Sequence, residues 1–262
     1  TLCRSLMLDL SRVTLFAIHV AFDKTKTAAQ DFQDGEKEKK LDNGLEDTIR
    51  ALYTCIESAK FGKVRFVTSK DVIDERSQEL LEDGIVCEEP NIPITNMKDY
   101  ARYMIYHLHE HVDTDFVLTI QHDGFILNPD AWRDDFFDYD YIGAPWPWRE
   151  QGFVTPFGEH IAVGNGGFSL RSKKLTEVPT KVDVPFDVVA MNNFYKMFGA
   201  TNWNEDGNIC VHNRHIFEEQ GCKFAPVEVA KDFSHESPLD INRGIIPFGY
   251  HGNLPSGVEI FS

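Results

Sequence analysis

The first half of the chain alternates compact apolar runs with stretches in which apolar residues recur every three or four positions. The run VTLFAIHV, residues 13–20, predicts a buried strand, since it is short and rich in β-branched and aromatic residues. Residues 45–60 predict an amphipathic helix. Its apolar face would carry Leu45, Ile49, Leu52, Ile56 and Ala59.

The same alternation continues as far as residue 123. It predicts further strands at residues 63–69, 84–89 and 115–123, and a second helix at residues 96–111. Strands that alternate with helices form right-handed crossovers and a mostly parallel sheet. We therefore predict an α/β fold with a mixed, mostly parallel central sheet flanked by helices, and a ligand site beyond the carboxyl ends of its strands.

The strand at residues 115–123 ends on Gln121-His122-Asp123. A carboxylate at a strand end can hold a hard divalent cation, which would neutralise a diphosphate. A turn-forming or capping Asp123 explains the same pattern equally well.

The charge balance argues against nucleic-acid partners. The 262 residues carry 26 basic and 42 acidic side chains, a net charge of −16, which repels phosphate backbones.

The longest apolar run is too short to span a bilayer, so we expect no integral membrane segment. Five cysteines without CxxC spacing suit a reducing compartment, so we expect a cytoplasmic protein, with any membrane attachment made through a partner or a missing terminus.

The second half carries three further candidate features. The loop GNGG, residues 164–167, lets the backbone approach a ligand or turn sharply before the strand FSLRS. Glu205-Asp206 precedes an expected helix that Gly221 closes. Carboxylates there can stabilise the helix start or supply a general base. His251, in PFGYHG, lies in a loop where it could reach a cleft, although a lone histidine is a weak signal.

His107 and His111 stand at i, i+4 spacing in the second predicted helix, an arrangement that can bind a metal. No third ligand lies near them in the sequence, so we interpret them as a solvent-facing helix surface.

The order of these features resembles that of GT-A-type glycosyltransferases. The sequence motifs themselves resemble more closely those of a little-characterised family of glycosyltransferase-like proteins. The resemblance lies in QHDGFILNPDAW, YDYIGAPW, VGNGGFSLRS, NEDGNIC, KFAPVEVAKDFS and PFGYHG, which cover about half of the chain, from Gln121 to Gly252. It implies one catalytic domain over residues 1–262, with a nucleotide-binding half at about 1–125 and an acceptor-binding half at about 126–262.

The resemblance also implies a site. Asp123 would bind a divalent metal, Mn²⁺ or Mg²⁺, together with the donor diphosphate, and His251 would complete the metal shell. Gln121 replaces the first Asp of the family's DxD motif, so it brings no charge and would instead hydrogen-bond ribose or sugar. Asp206 would be the base of an inverting reaction, and Glu205 would hold the acceptor or orient the loop.

Other residues would complete the substrate contacts. The donor nucleotide would lie against the ends of the first two strands and the residue beside Asp123, namely Ile18, His19, Ser69, Lys70 and His122. The acceptor or sugar would contact Asn165, Gly166 and Gly167. Trp146 and Trp148 could stack on a sugar ring, or could pack beneath a proline-rich turn.

The expected activity is transfer of a hexosyl or pentosyl group from a nucleotide-sugar, UDP- or another NDP-sugar, to a glycan or other hydroxyl acceptor. Two alternatives remain open at this stage. One is a nucleotide-sugar- or carbohydrate-binding module without turnover, and the other is a metal-dependent nucleotidyltransferase or hydrolase.

Overall fold

A six-stranded sheet forms the centre of the protein. The computed structural model describes residues 7–21, 43–147, 153–187 and 204–252. The strands of this sheet are β1 (Leu8–His19), β2 (Ala59–Thr68), β3 (Ile85–Glu88), β4 (Phe116–Ile120), β6 (Tyr141–Ile142) and β7 (Phe168–Ser172). Their order is β3-β2-β1-β4-β7-β6; β1 to β4 run parallel, β7 pairs antiparallel with β4, and β6 pairs antiparallel with β7.

Helices flank the sheet, which confirms the predicted α/β class. They are α1 (Asn43–Ser58), α2 (Lys70–Glu82), α3 (Met97–Tyr106), α4 (Lys173–Thr176), α5 (Val178–Lys181), α6 (Glu205–Gly207), α7 (Arg214–Glu219) and α8 (Val227–Phe233). Among the described residues no helix combines the length and the apolarity needed to cross a membrane.

The apolar faces of these elements form the core that the sequence pattern indicates. Leu52 of α1 is fully buried against the sheet, in the same cluster as Leu15 and Phe66. Burial of such side chains contributes about 1.5–3 kcal/mol each relative to an exposed position. The central strands are therefore held rigidly, and their carboxyl ends form a stable platform.

A small second sheet brings residues 249–251 next to the end of β4. It contains β5 (Gly124–Ile126), β9 (Gly249–His251) and β8 (Ser234–His235), in the order β5-β9-β8. In its register Gly124 is opposite His251. The backbone N–H of Gly252 also donates to the carbonyl of Asp123, at 3.0 Å. This pairing fixes His251 beside Asp123.

The second predicted helix was too long, and its His111 was assigned to the wrong environment. Helix α3 ends at Tyr106, and a 3₁₀ turn follows at Leu108–His111. His111 is buried, with its ring nitrogens 2.7 Å from the Tyr103 hydroxyl and 2.9 Å from Glu88. Burial, with the nearby Arg65 cation, lowers the pKa of His111 to about 4, so the ring is neutral and structural.

The helix predicted after Glu205 is also interrupted. Helix α6 continues into a π-helical turn at Asn208–His212 before α7 begins. The buried amides of Asn208 and Asn213 both donate to the carbonyl of Pro185, at 3.1 and 2.7 Å. Side chains that bond another segment in this way compete with a regular helix. Such π turns are frequent at functional sites.

Candidate functional site

Three polar side chains converge where β4 ends. His251 Nε2 lies 3.2 Å from Asp123 Oδ1 and 3.2 Å from the Gln121 side-chain oxygen. Asp123 Oδ1 is buried and makes no hydrogen bond of ordinary geometry. A buried carboxylate oxygen without such a partner is costly unless a cation satisfies it.

A second carboxylate lies on the other side of the imidazole. Glu236 Oε1 is 3.5 Å from His251 Nδ1. Burial opposes a charge on His251, but Asp123 and Glu236 outweigh it and raise its pKa to about 10. Burial likewise opposes ionisation of Asp123, and His251 more than offsets this, so the pKa of Asp123 lies below its ordinary value.

The side chains of Asp123, His251 and Gln121 fit a divalent cation whose remaining coordination positions a bound substrate would fill. Within the described ranges, no three His, Cys, Asp or Glu side chains form a complete metal-binding group. Asp123 Oδ1, His251 Nε2 and the Gln121 amide oxygen nevertheless meet at one point. They offer a carboxylate, a carbonyl-type oxygen and an imidazole that must release its Nε2 proton when a metal binds. Glu236 occupies the position of the outer carboxylate that commonly orients a metal-binding histidine.

The glycine-rich loop lies between this group and the acidic pair. A Cβ on Gly167 would stand 2.0 Å from His251 Nε2, and a Cβ on Gly166 would stand 2.3 Å from Glu205 Oε1. The Gly166 N–H donates to Asp206 Oδ2, at 3.0 Å. Two successive residues therefore contact the two halves of the site, and neither has room for a side chain.

Asp206 is held by two backbone donors. Its Oδ2 accepts from Gly166 and its Oδ1 accepts from the N–H of Gly207, at 2.7 Å. Burial, and then the negative charge of Glu205, raise the pKa of Asp206 to about 7, although the two hydrogen bonds oppose this. A carboxylate with that pKa is suited to accept a proton near neutral pH.

Glu205 faces the interior and is paired with a buried arginine. Arg171, fully buried on β7, lies with Nη2 3.2 Å from Glu205 Oε1, and its Nε donates to Ser169 Oγ at 3.0 Å. The Ser169 hydroxyl in turn is 2.7 Å from that of Thr119 on β4. Glu205 and Arg171 thus compensate each other, whereas an ionised Asp206 adds an uncompensated charge.

The residues predicted to bind the nucleotide lie at neighbouring strand ends. Ile18 and His19 close β1, which is adjacent to β4. Ser69 precedes α2 and makes no side-chain cap. The ammonium of Lys70 is paired with Asp74 at 2.7 Å. Their contact with a nucleotide stays a prediction.

The residues predicted to contact a sugar lie in several different environments. Trp146 is 5% exposed and stacks on Phe153 with ring centroids 4.3 Å apart, which leaves its indole ring little surface for a sugar. Trp148 lies outside the described residues. The buried Asn165 accepts from the N–H of Gly167 at 3.1 Å and so shapes the loop. His122 is half exposed, 3.7 Å from Asp123.

Sequence reasoning missed Tyr100, Arg171 and Glu236. Arg171 stands in the motif FSLRS, where alternation alone gives no sign of a buried charge. Glu236 follows β8 in an unremarkable polar run, and Tyr100 is one of several tyrosines in α3. Only the tertiary structure brings these three to the site.

A family comparison identifies the group to which the protein belongs. A family described as "Protein of unknown function (DUF5672)" matches residues 85–251, more than half of the chain and all of the acidic and metal-type donors above. The chain belongs to this family. No curated protein sequence matches it.

Structural comparison shows which fold this DUF5672 protein has. The apo form of mouse xyloside xylosyltransferase 1 is similar, with a TM-score of 0.50 and 10% identity, over 94% of this chain and 98% of that one. A Desulfovibrio desulfuricans protein solved as a candidate nucleotide-diphospho-sugar transferase has a TM-score of 0.37 and 11% identity, over 82% and 79% of the two chains. The GT-A-like fold expected from the sequence is confirmed by the first of these.

Removing Arg171 should expose the cost of the buried ion pair. Arg171→Met leaves Glu205 buried and unpaired, and we expect a loss of about 3–5 kcal/mol in the free energy of unfolding, measured by urea denaturation. Arg171→Met with Glu205→Leu should be more stable than Arg171→Met alone. Arg243→Met, which breaks an exposed pair with Asp240, serves as the control and should cost far less. Equal losses from the two arginine substitutions would contradict this arrangement.

The raised pKa of Asp206 should make stability fall as pH rises. The unfolded carboxyl has its ordinary pKa of 3.8. Between about pH 4 and 7 the folded chain therefore holds a proton that the unfolded chain has released. The contribution of Asp206 to the free energy of unfolding is fully present below pH 4 and is lost as the pH rises through 7. The free energy of unfolding should fall there by up to about 1.4 kcal/mol per pH unit. Urea denaturation of wild type and Asp206→Asn at pH 5 and 7 measures this slope, and identical pH dependence in the two proteins would refute it.

Proposed function

We propose that the protein is an inverting glycosyltransferase that moves a sugar from a nucleotide-sugar to an acceptor hydroxyl. The observation that carries this proposal is the loop contact in which Gly167 meets His251 while the adjacent Gly166 holds Asp206. It sets a group suited to a diphosphate and a cation next to a carboxylate suited to act as a base. The GT-A-like fold supports the same conclusion.

The leaving group would bind at Asp123, His251 and Gln121. Four carboxylates surround the site, so an anionic diphosphate needs a cation to enter with it. They are Asp123, Glu205, Asp206 and Glu236. A divalent metal held by Asp123 and His251 would supply the positive charge that stabilises the departing diphosphate. Gln121 would complete the group as a neutral oxygen donor.

Asp206 would act from the opposite side of the sugar. One of its oxygens takes the proton of the acceptor hydroxyl while that hydroxyl oxygen bonds to the anomeric carbon. The bond from the anomeric carbon to the diphosphate oxygen breaks, and the nucleoside diphosphate leaves with the bonding electrons. Attack opposite the leaving group inverts the anomeric configuration, and one carboxylate is sufficient for it.

Glu205 would be a positioning residue in this mechanism. Its carboxylate is 4% exposed and paired with Arg171, so it does not reach a substrate. Its negative charge helps to keep the pKa of Asp206 near neutrality. A base with that pKa both accepts the acceptor's proton and releases it readily after transfer.

A thermal-shift and transfer experiment tests this proposal. We would screen UDP-glucose, UDP-galactose, UDP-xylose, UDP-N-acetylglucosamine and GDP-mannose, each with and without Mn²⁺. We expect one nucleotide class to raise the melting temperature when Mn²⁺ is present, because a ligand that binds only the folded state stabilises it. Asp123→Ala should abolish the shift, while the exposed Asp130→Ala should keep it.

Asp206→Asn separates catalysis from binding in the same assay. It should retain the thermal shift and lose transfer to an acceptor by at least about 10²-fold, the lower range for removal of a general base. A binding module without turnover would show the shift in wild type and in Asp206→Asn, and no transfer even in wild type. No shift with any donor would reject the proposed function.

A further inference from the structure

Tyr100 of α3 contacts the site at Gln121. Its hydroxyl oxygen accepts a hydrogen bond from the Gln121 amide nitrogen, at 3.1 Å. The oxygen of the same amide faces His251 Nε2, at 3.2 Å. A continuous line of polar contacts therefore joins Tyr100 to the group proposed to hold the diphosphate.

The acidic pair lies near the same hydroxyl. Helix α3 packs against α6, which carries Glu205 and Asp206. Burial, and next the charge of Glu205, raise the pKa of Tyr100 above its ordinary value, so the hydroxyl keeps its proton. Tyr100 thus contacts the group proposed to hold the diphosphate and also lies near the proposed base.

The proton of this hydroxyl has no acceptor in the part of the chain that the structure describes. A phenol donates one hydrogen bond and can accept others. Gln121 uses the oxygen as an acceptor and is its one hydrogen-bond partner among those residues. The donor capacity of Tyr100 is therefore open to a bound molecule.

The ring is held firmly enough to aim the hydroxyl. Tyr100 is half-buried and packs on the apolar cluster that contains Phe16 and Val67, beside Ile18 at the end of β1. A ring fixed by packing loses little further freedom when its hydroxyl binds a ligand.

We propose that Tyr100 is a substrate-binding residue whose hydroxyl donates a hydrogen bond to a hydroxyl oxygen of a sugar. The inference rests on the proposed function, because a sugar whose anomeric carbon lies between the diphosphate and Asp206 would lie close to a hydroxyl that contacts Gln121 and is near the acidic pair. A neutral donor suits a neutral sugar hydroxyl in a pocket that is already rich in carboxylates. The sugar is that of the donor or that of the acceptor.

Tyr100→Phe tests this contact, with Tyr106→Phe as a matched control. Tyr106 lies on the same helix, but its hydroxyl donates to the carbonyl of Val184, at 2.6 Å. We would measure Kd for the nucleotide-sugar that most stabilises wild type and for its nucleoside diphosphate, both with Mn²⁺, and KM for the acceptor. Urea denaturation should show that Tyr100→Phe keeps wild-type stability within about 1 kcal/mol, since the ring is retained.

Two results would support the contact, and they would show whether Tyr100 binds the donor sugar or the acceptor. A Kd for the nucleotide-sugar raised about 3- to 10-fold, with the Kd for the nucleoside diphosphate unchanged, assigns it to the donor sugar. A similar rise in KM for the acceptor alone assigns it to the acceptor. Tyr106→Phe should change none of these constants.

Other results overturn the inference. If Tyr100→Phe changes none of the three constants, or weakens nucleotide-sugar and nucleoside diphosphate equally, Tyr100 does not bind sugar and the proposed function still stands. If wild type binds no nucleotide-sugar, the proposed function fails and this inference fails with it.

Discussion

The site depends on the close approach of the backbone at Gly166 and Gly167 to two groups from distant parts of the chain. The acidic pair follows this loop by about forty residues, and His251 follows it by more than eighty. One glycine meets the acidic pair while the next meets His251. The loop therefore adjoins both the proposed base and the proposed leaving-group site.

The second constraint is electrostatic. A site with four carboxylates needs compensating cations, and the protein supplies one permanently in Arg171 and one conditionally in His251. Arg171 neutralises Glu205 and leaves Asp206 with a raised pKa. The charge still missing would be brought by the cation that accompanies a diphosphate, so substrate and metal are expected to bind together.

Periodicity predicted the central strands and α1, because their apolar residues face a core and leave a clear pattern. The strand-end rule and the motif order pointed to Asp123, Asp206 and His251, and the structure brings all three to one region. Arg171, Glu236 and Tyr100 could not be foreseen, because their roles arise from contacts between distant segments. The failures at His111 and after Glu205 have the same origin. Tertiary hydrogen bonds, to Glu88 and to Pro185, overrode the local helical pattern.

The most direct test of this account compares alanine at the two central glycines. Nucleoside diphosphate with Mn²⁺ would be titrated calorimetrically into Gly166→Ala and Gly167→Ala, using the nucleoside that stabilises wild type. Gly167→Ala should weaken binding at least about 10-fold, or 1.4 kcal/mol, because its methyl group displaces the His251 ring. Gly166→Ala should bind as wild type does, because its methyl group meets Glu205, Arg171 and Asp206 and not His251. Equal affinities in the two variants would contradict the assignment of His251 to the diphosphate.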